Sequence, residues 1–149
     1  MTTEENAMIA RRWFTEGWAG NLDLADDIFA ADFTTNGKRV GSAGPKRNVT
    51  NRLTGFPDMQ SNIKEQIALD DKVVTRVVWR GTHLGRYSGI PPTGKSVEIM
   101  AIIIWRFHED KVVEDWTVLD QFGLFQQLDV LPPAFLGAQI PAPPGEENV

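Results

Sequence analysis

The spacing of apolar residues changes once along this chain, near Met59, from a helical repeat to strict alternation. Apolar side chains three and four residues apart share one face of a helix, whereas alternating ones share one face of a strand. Helices therefore come first and antiparallel strands second. That order indicates an α+β domain with the helices packed on one face of a curved antiparallel sheet. With 149 residues, one domain can bury about two-thirds of its unfolded surface and still enclose a pocket.

In the first third, Thr2 or Thr3 can cap a helix that carries Glu4 and Glu5 in its first turn. Ile9, Trp13 and Phe14 recur at helical spacing before Gly17 and Gly20 end it. A second helix is expected in NLDLADDIFAADF, capped by Asn21 or Asp23 and leaving through Phe33. Gly44-Pro45 opens a third, whose stripe is Val49 and Leu53 and whose end is Gly55-Phe56-Pro57-Asp58. Beyond Met59, IKEQIAL and VVTRVVWRGTHLG flank a turn at Asp70-Asp71, and SVEIMAIIIWRF and VVEDWTVLD flank His108-Glu109-Asp110. The expectation is a four-strand meander. Residues 1–131 are expected to form the domain, and the proline-rich segment 132–149 reads as a tail that is extended, draped over the body or disordered.

Composition removes several function classes. A formal net charge of -5 opposes nucleic-acid binding, which uses basic surfaces to neutralise phosphates. The absence of cysteine excludes a disulfide framework, a thiolate nucleophile and a cysteine zinc site. No apolar run reaches the roughly 18 residues of a membrane span, and the N-terminus is acidic where a secretory leader is basic. A soluble cytoplasmic protein with no membrane partner is expected. His83 and His108 stand in a strand and a turn, unlike zinc-ligand spacing, so no metal is expected.

Asp120 ends the strand-like VVEDWTVLD where the apolar helix QFGLFQQL begins. Counting back by twos gives Val118, Trp116, Glu114 and Val112, so an extended segment would put the acid on a tryptophan's face. Two readings compete. A desolvated carboxylate gains a higher pKa and can shuttle protons, whereas a helix cap accepts backbone N–H bonds and has a lowered one. His83 shares a strand face with Trp79, Val77 and Thr75; it either helps Asp120 with a substrate oxygen or bonds the following loop. Arg76, Glu98 and Arg106 lie within apolar strands and either face outward or pair inside. Phe14, Trp18, Phe33, Trp79, Met100 and Trp116, with Arg76, are the candidate pocket wall for a small apolar or aromatic ligand. GIPPTGK lacks phosphate-loop spacing and reads as a turn.

FPD at 56–58, GTHLG at 81–85, GIPPTGK at 89–95, WRF at 105–107 and VVEDWTVLDQFGLFQQL at 112–128 occur in an order that resembles the SnoaL-like polyketide cyclase family, often labelled ester cyclases. The resemblance runs from about residue 5 to residue 131. It implies the cone-shaped α+β barrel named after nuclear transport factor 2, in which three N-terminal helices pack into a strongly bent antiparallel sheet and enclose an internal pocket. Trp116 and Asp120 match the family's W-x-x-x-D segment, whose aspartate is the acid/base of an intramolecular aldol closure needing no cofactor. His83 matches the GTHxG histidine. One departure is Asp115, where many members carry histidine; by strand alternation it faces away from Asp120. The resemblance also implies a homodimer or higher homo-oligomer. Two alternatives stand beside cyclisation: epoxide opening of the limonene-epoxide-hydrolase type, using two carboxylates and an arginine, and non-catalytic storage of an apolar ligand.

Overall fold

The computed structural model describes residues 1–132, so all of the proline-rich tail but Pro132 lies outside the described residues. Helix α1 (Thr3–Arg12) begins with a reciprocal capping box. The Glu5 backbone N–H donates to the Thr2 hydroxyl at 3.1 Å, and Thr2 N–H donates to the Glu5 carboxylate at 2.9 Å. The helix widens into a π turn at Trp13–Gly17, closed by Trp18 N–H on the Trp13 carbonyl at 3.0 Å. The wider turn brings Trp13, Phe14 and Trp18 into the interior together. Gly17 is needed there, because a Cβ would stand 2.3 Å from the Trp13 ring.

Helix α2 (Leu24–Ile28) is a single turn that leads directly into β1 (Phe29–Thr35) and β2 (Lys38–Arg39). Helix α3 (Ala43–Gly55) follows, with Pro45 in its first turn, where a missing N–H costs nothing. Then come β3 (Gln60–Leu69), β4 (Lys72–Thr82), β5 (Ser96–His108) and β6 (Lys111–Leu119), and helix α4 (Gln121–Gln127). The sheet order is β2-β1-β6-β5-β4-β3, antiparallel except for the β1–β6 pair.

The expected meander is thus β3 to β6, and β1 with β2 extends it to six strands. The sequence contained their signal in Asn36-Gly37, whose positive φ angles (48° and 83°) make the two-residue turn between Thr35 and Lys38. Reading FAADF as a helix exit concealed the alternation of Phe29 with Phe33 and Thr35.

Alternation along β4 and β5 sorts the side chains onto two surfaces. Val77, Trp79, Ile99, Ala101, Ile103 and Trp105 face the helices and are buried, while Met100, Ile102 and Ile104 face outward. Phe14, Phe29, Phe33 and Trp105 meet between the layers in tilted or edge-on ring contacts 4.8–5.4 Å apart. No helix among the described residues is long and apolar enough to cross a membrane.

Candidate functional site

A cavity of about 340 Å³ lies between the inner sheet face and the helices. Trp13, Phe14 and Trp18 come from the N-terminal helix and π turn, Phe29, Phe33 and Thr35 from β1, Arg52 from α3, and Trp79, Ile103 and Trp105 from the sheet. The exposed lining residues Asn36, Arg47 and Asn48 mark its mouth. A space of this size with largely aromatic walls suits a small planar molecule.

One carboxylate stands among the described lining residues, and it belongs to Asp115. The reason is a bulge. Phe107 pairs with Val112 but Arg106 pairs with Glu114, so Val113 is an extra residue in β6 and the alternation is reset. Val112 is buried on the inner face; past the bulge Asp115, Thr117 and Leu119 take that face, and Trp116 and Val118 turn outward. Counting by twos back to Val112 crosses the bulge and therefore assigns the wrong side.

The carboxylate of Asp115 accepts a hydrogen bond from the Thr35 hydroxyl on the neighbouring parallel strand. Burial pushes its pKa above the ordinary value, while the hydrogen bonds from Thr35 and Thr117 pull it back part of the way. Asn36 fixes this corner: its N–H donates to the Asp115 carbonyl at 3.0 Å and its side-chain oxygen accepts from Thr117 N–H at 2.8 Å. Sequence reasoning noted Asp115 only as a departure from the family pattern.

Asp120 lies elsewhere. It is exposed at the N-cap of α4, where its carboxylate accepts the Gly123 N–H at 2.9 Å, so the expectation of a desolvated, inward-facing acid is corrected. Beyond Leu119 the chain leaves the strand, and Asp120 N–H donates to the Met100 carbonyl at 2.9 Å. Trp116 is half exposed on the outer face and donates its indole N–H to Glu114 at 3.2 Å; Met100 is on that face too. Neither lines the cavity. Arg76 is also outside, 3.3 Å from Glu65, as are the pairs Arg80–Glu98 at 3.3 Å and Arg106–Glu114 at 3.4 Å. Arg106 holds the Glu114 carboxyl below its usual range. Phe14, Trp18, Phe33 and Trp79 are part of the cavity wall as expected from their size and position.

His83 is fully buried but outside the cavity lining. Its Nδ1 accepts the Thr93 N–H at 3.2 Å and is 3.0 Å from the Thr93 hydroxyl, with the ring against Phe56 at 5.3 Å. In a neutral ring the proton therefore resides on Nε2. The same region gathers other motif residues. Asp58 accepts Thr82 N–H and hydroxyl bonds at 2.7 and 2.8 Å, which lower its pKa, and the Gly55 carbonyl accepts from Leu84 and Gly85. FPD, GTHLG and the GIPPTGK turn thus lock the loop after α3 to the end of β4.

Arg52 was missed. It continues the stripe Pro45, Val49 and Phe56 at helical spacing and is 5% exposed. A cation in a buried stripe was the available signal. Its guanidinium lies over the rings of Trp18 and Trp79, 5.4 Å from each centroid, and 5.7 Å from that of Tyr87. No group of three or more His, Asp or Glu among the described residues is arranged to hold a metal.

The sequence matches the family model of the SnoaL-like polyketide cyclases over residues 8–128. Among solved structures it is similar to AclR, a candidate hydroxylase from Streptomyces galilaeus, at 27% identity over 92% of this chain and 90% of that one, with a TM-score of 0.78. IdmH, a candidate polyketide cyclase from Streptomyces antibioticus, is 26% identical over 83% of this chain and 98% of its own, with a TM-score of 0.73. A candidate polyketide cyclase from Bacillus cereus is also 26% identical, over 83% and 80% of the two chains, with a TM-score of 0.70. No curated protein matches the sequence.

Proposed function

The chain belongs to the SnoaL-like polyketide cyclase family, and within it we propose a cofactor-independent ring-closing enzyme whose acid/base is Asp115. The observation that carries this reading is one half-buried carboxylate among the described residues lining an aromatic cavity, its pKa raised by burial and its position held by Thr35. A raised pKa makes this carboxylate a stronger base than an ordinary exposed aspartate.

Ionised Asp115 takes a proton from a carbon beside a carbonyl, and the C–H electron pair moves onto that carbonyl oxygen as an enolate. The enolate carbon then bonds to a second carbonyl carbon of the same molecule, whose π pair becomes an alkoxide. Protonated Asp115 returns its proton to the alkoxide. The product is an isomer of the substrate, and the carboxylate is regenerated. A positioned acid/base contributes about 10²- to 10⁴-fold, and holding the tethered substrate folded adds more.

Epoxide opening is less well supported. It asks for two carboxylates and an arginine around water, whereas the described lining has one carboxylate. The reading extends to assembly as a homodimer through the outer sheet face, where Ile102 pairs with Val118 and Ile104 with Trp116 in an exposed apolar patch. Turnover of an aromatic polyketide, offered both as the free acid and as its methyl ester, by wild type and Asp115→Asn tests the chemistry: a loss of about 10²-fold or more is expected on whichever form wild type turns over, and equal rates on both overturn it.

A further inference from the structure

Six buried side-chain nitrogen or oxygen atoms among the described residues lack a hydrogen-bond partner, and four belong to cavity-lining side chains. These four are Nε and Nη1 of Arg52 and Nε1 of Trp18 and of Trp79. All are donors, and they form one cluster. The guanidinium lies 5.4 Å from both indole rings, whose centroids are 4.6 Å apart. Arg52 makes no ion pair among the described residues.

A cation taken out of water without a counter-ion is costly, and the ring faces around it offset only part of that cost. Unmade indole hydrogen bonds add to it. Native interiors rarely retain such groups, and here they collect at one cavity while the Asp115 corner on β6 is satisfied by Thr35 and Asn36.

We propose that Arg52, with the Trp18 and Trp79 indole N–H groups, forms a carboxylate-binding subsite. The ligand is then a planar apolar molecule carrying a carboxylate, its ring system against Phe14, Phe33, Ile103 and Trp105. A guanidinium favours a carboxylate over a ketone because both partners are charged and the bonds form away from water. This inference rests on the reading of the cavity as the substrate site, but it does not depend on ring closure being the reaction.

Calorimetric titration of the wild type with 2-naphthoate and with 2-acetonaphthone, its neutral ketone counterpart, tests it. The carboxylate is expected to bind about 10-fold more tightly or better; equal or weaker binding overturns the subsite. Arg52→Met should abolish the preference while the ketone still binds, and a preference that survives in a folded Arg52→Met overturns the assignment. If that variant does not fold, the wild-type comparison and Arg52→Lys, expected to retain a carboxylate preference, carry the test. Asp115→Asn should keep the preference even where turnover is lost, so failure of the subsite and failure of the cyclase reading give different results.

Discussion

Placing Asp120 as a cap rather than a catalyst has a thermodynamic consequence that a double-mutant cycle can read. In α4 the Asp120 carboxylate accepts the Gly123 N–H at 2.9 Å, and a Cβ on Gly123 would stand 2.3 Å from that carboxylate. Asp120→Ala removes the cap and should cost about 1 kcal/mol, which is about 3 °C in Tm for a chain of this size. Gly123→Ala forces the carboxylate away and loses the same cap, but gains about 0.8–1.0 kcal/mol of helix propensity. The expected net change is near zero. The double variant loses the cap once and keeps the propensity gain, so it too should sit near wild type. The two substitutions are therefore coupled by about 1 kcal/mol instead of adding. Urea unfolding followed by circular dichroism measures all four proteins. Simple additivity, with Gly123→Ala more stable than wild type by about 1 kcal/mol, would refute the cap.

Asp115 has a raised pKa, so folding favours its protonated form; that stabilisation is present at pH below the unfolded-state value and is lost as pH rises through the folded one. Asp115→Asn should therefore stabilise the protein more at pH 8 than at pH 4 in urea titrations, and the opposite trend would contradict the assignment. Thr35→Val deletes a hydrogen bond that lowers this pKa, so the acid limb of the kcat/KM profile should move to higher pH; an unmoved limb would dissociate Thr35 from the base. Ile102→Lys, on the outer face, should convert a dimer to a monomer in sedimentation velocity. A monomeric wild type would remove the assembly proposal.

The sequence reveals the fold more readily than the site, for a physical reason. Period and turn chemistry are local, so α1 with its Thr2 cap, α3 and the strands β3 to β6 could be read directly. The wall residues Phe14, Trp18, Phe33 and Trp79 followed from bulk and apolarity. The proposed acid, Asp115, did not, because its direction depends on a bulge at Val113 that becomes visible only through pairing with β5. A one-residue insertion in a strand exchanges every later side chain between faces. Asp115 and Asp120 are an odd number of residues apart, so counting by twos had to separate them, and the family resemblance drew attention to the exposed one. Arg52 was legible as a charge in a buried stripe, but its aromatic cage draws on the end of the π turn, β4 and the loop holding Tyr87, which no local pattern joins.

The proposed proton transfer between Asp115 and carbon can be followed without ring closure. Exchange of the α-proton of ethyl benzoylacetate in D2O, followed by NMR at mildly acidic pD and corrected for buffer, isolates that step in wild type, Asp115→Asn and Asp120→Asn. Wild type and Asp120→Asn should exchange alike, with Asp115→Asn at the buffer rate. Exchange by Asp115→Asn at the wild-type rate, or a loss confined to Asp120→Asn, would contradict the account.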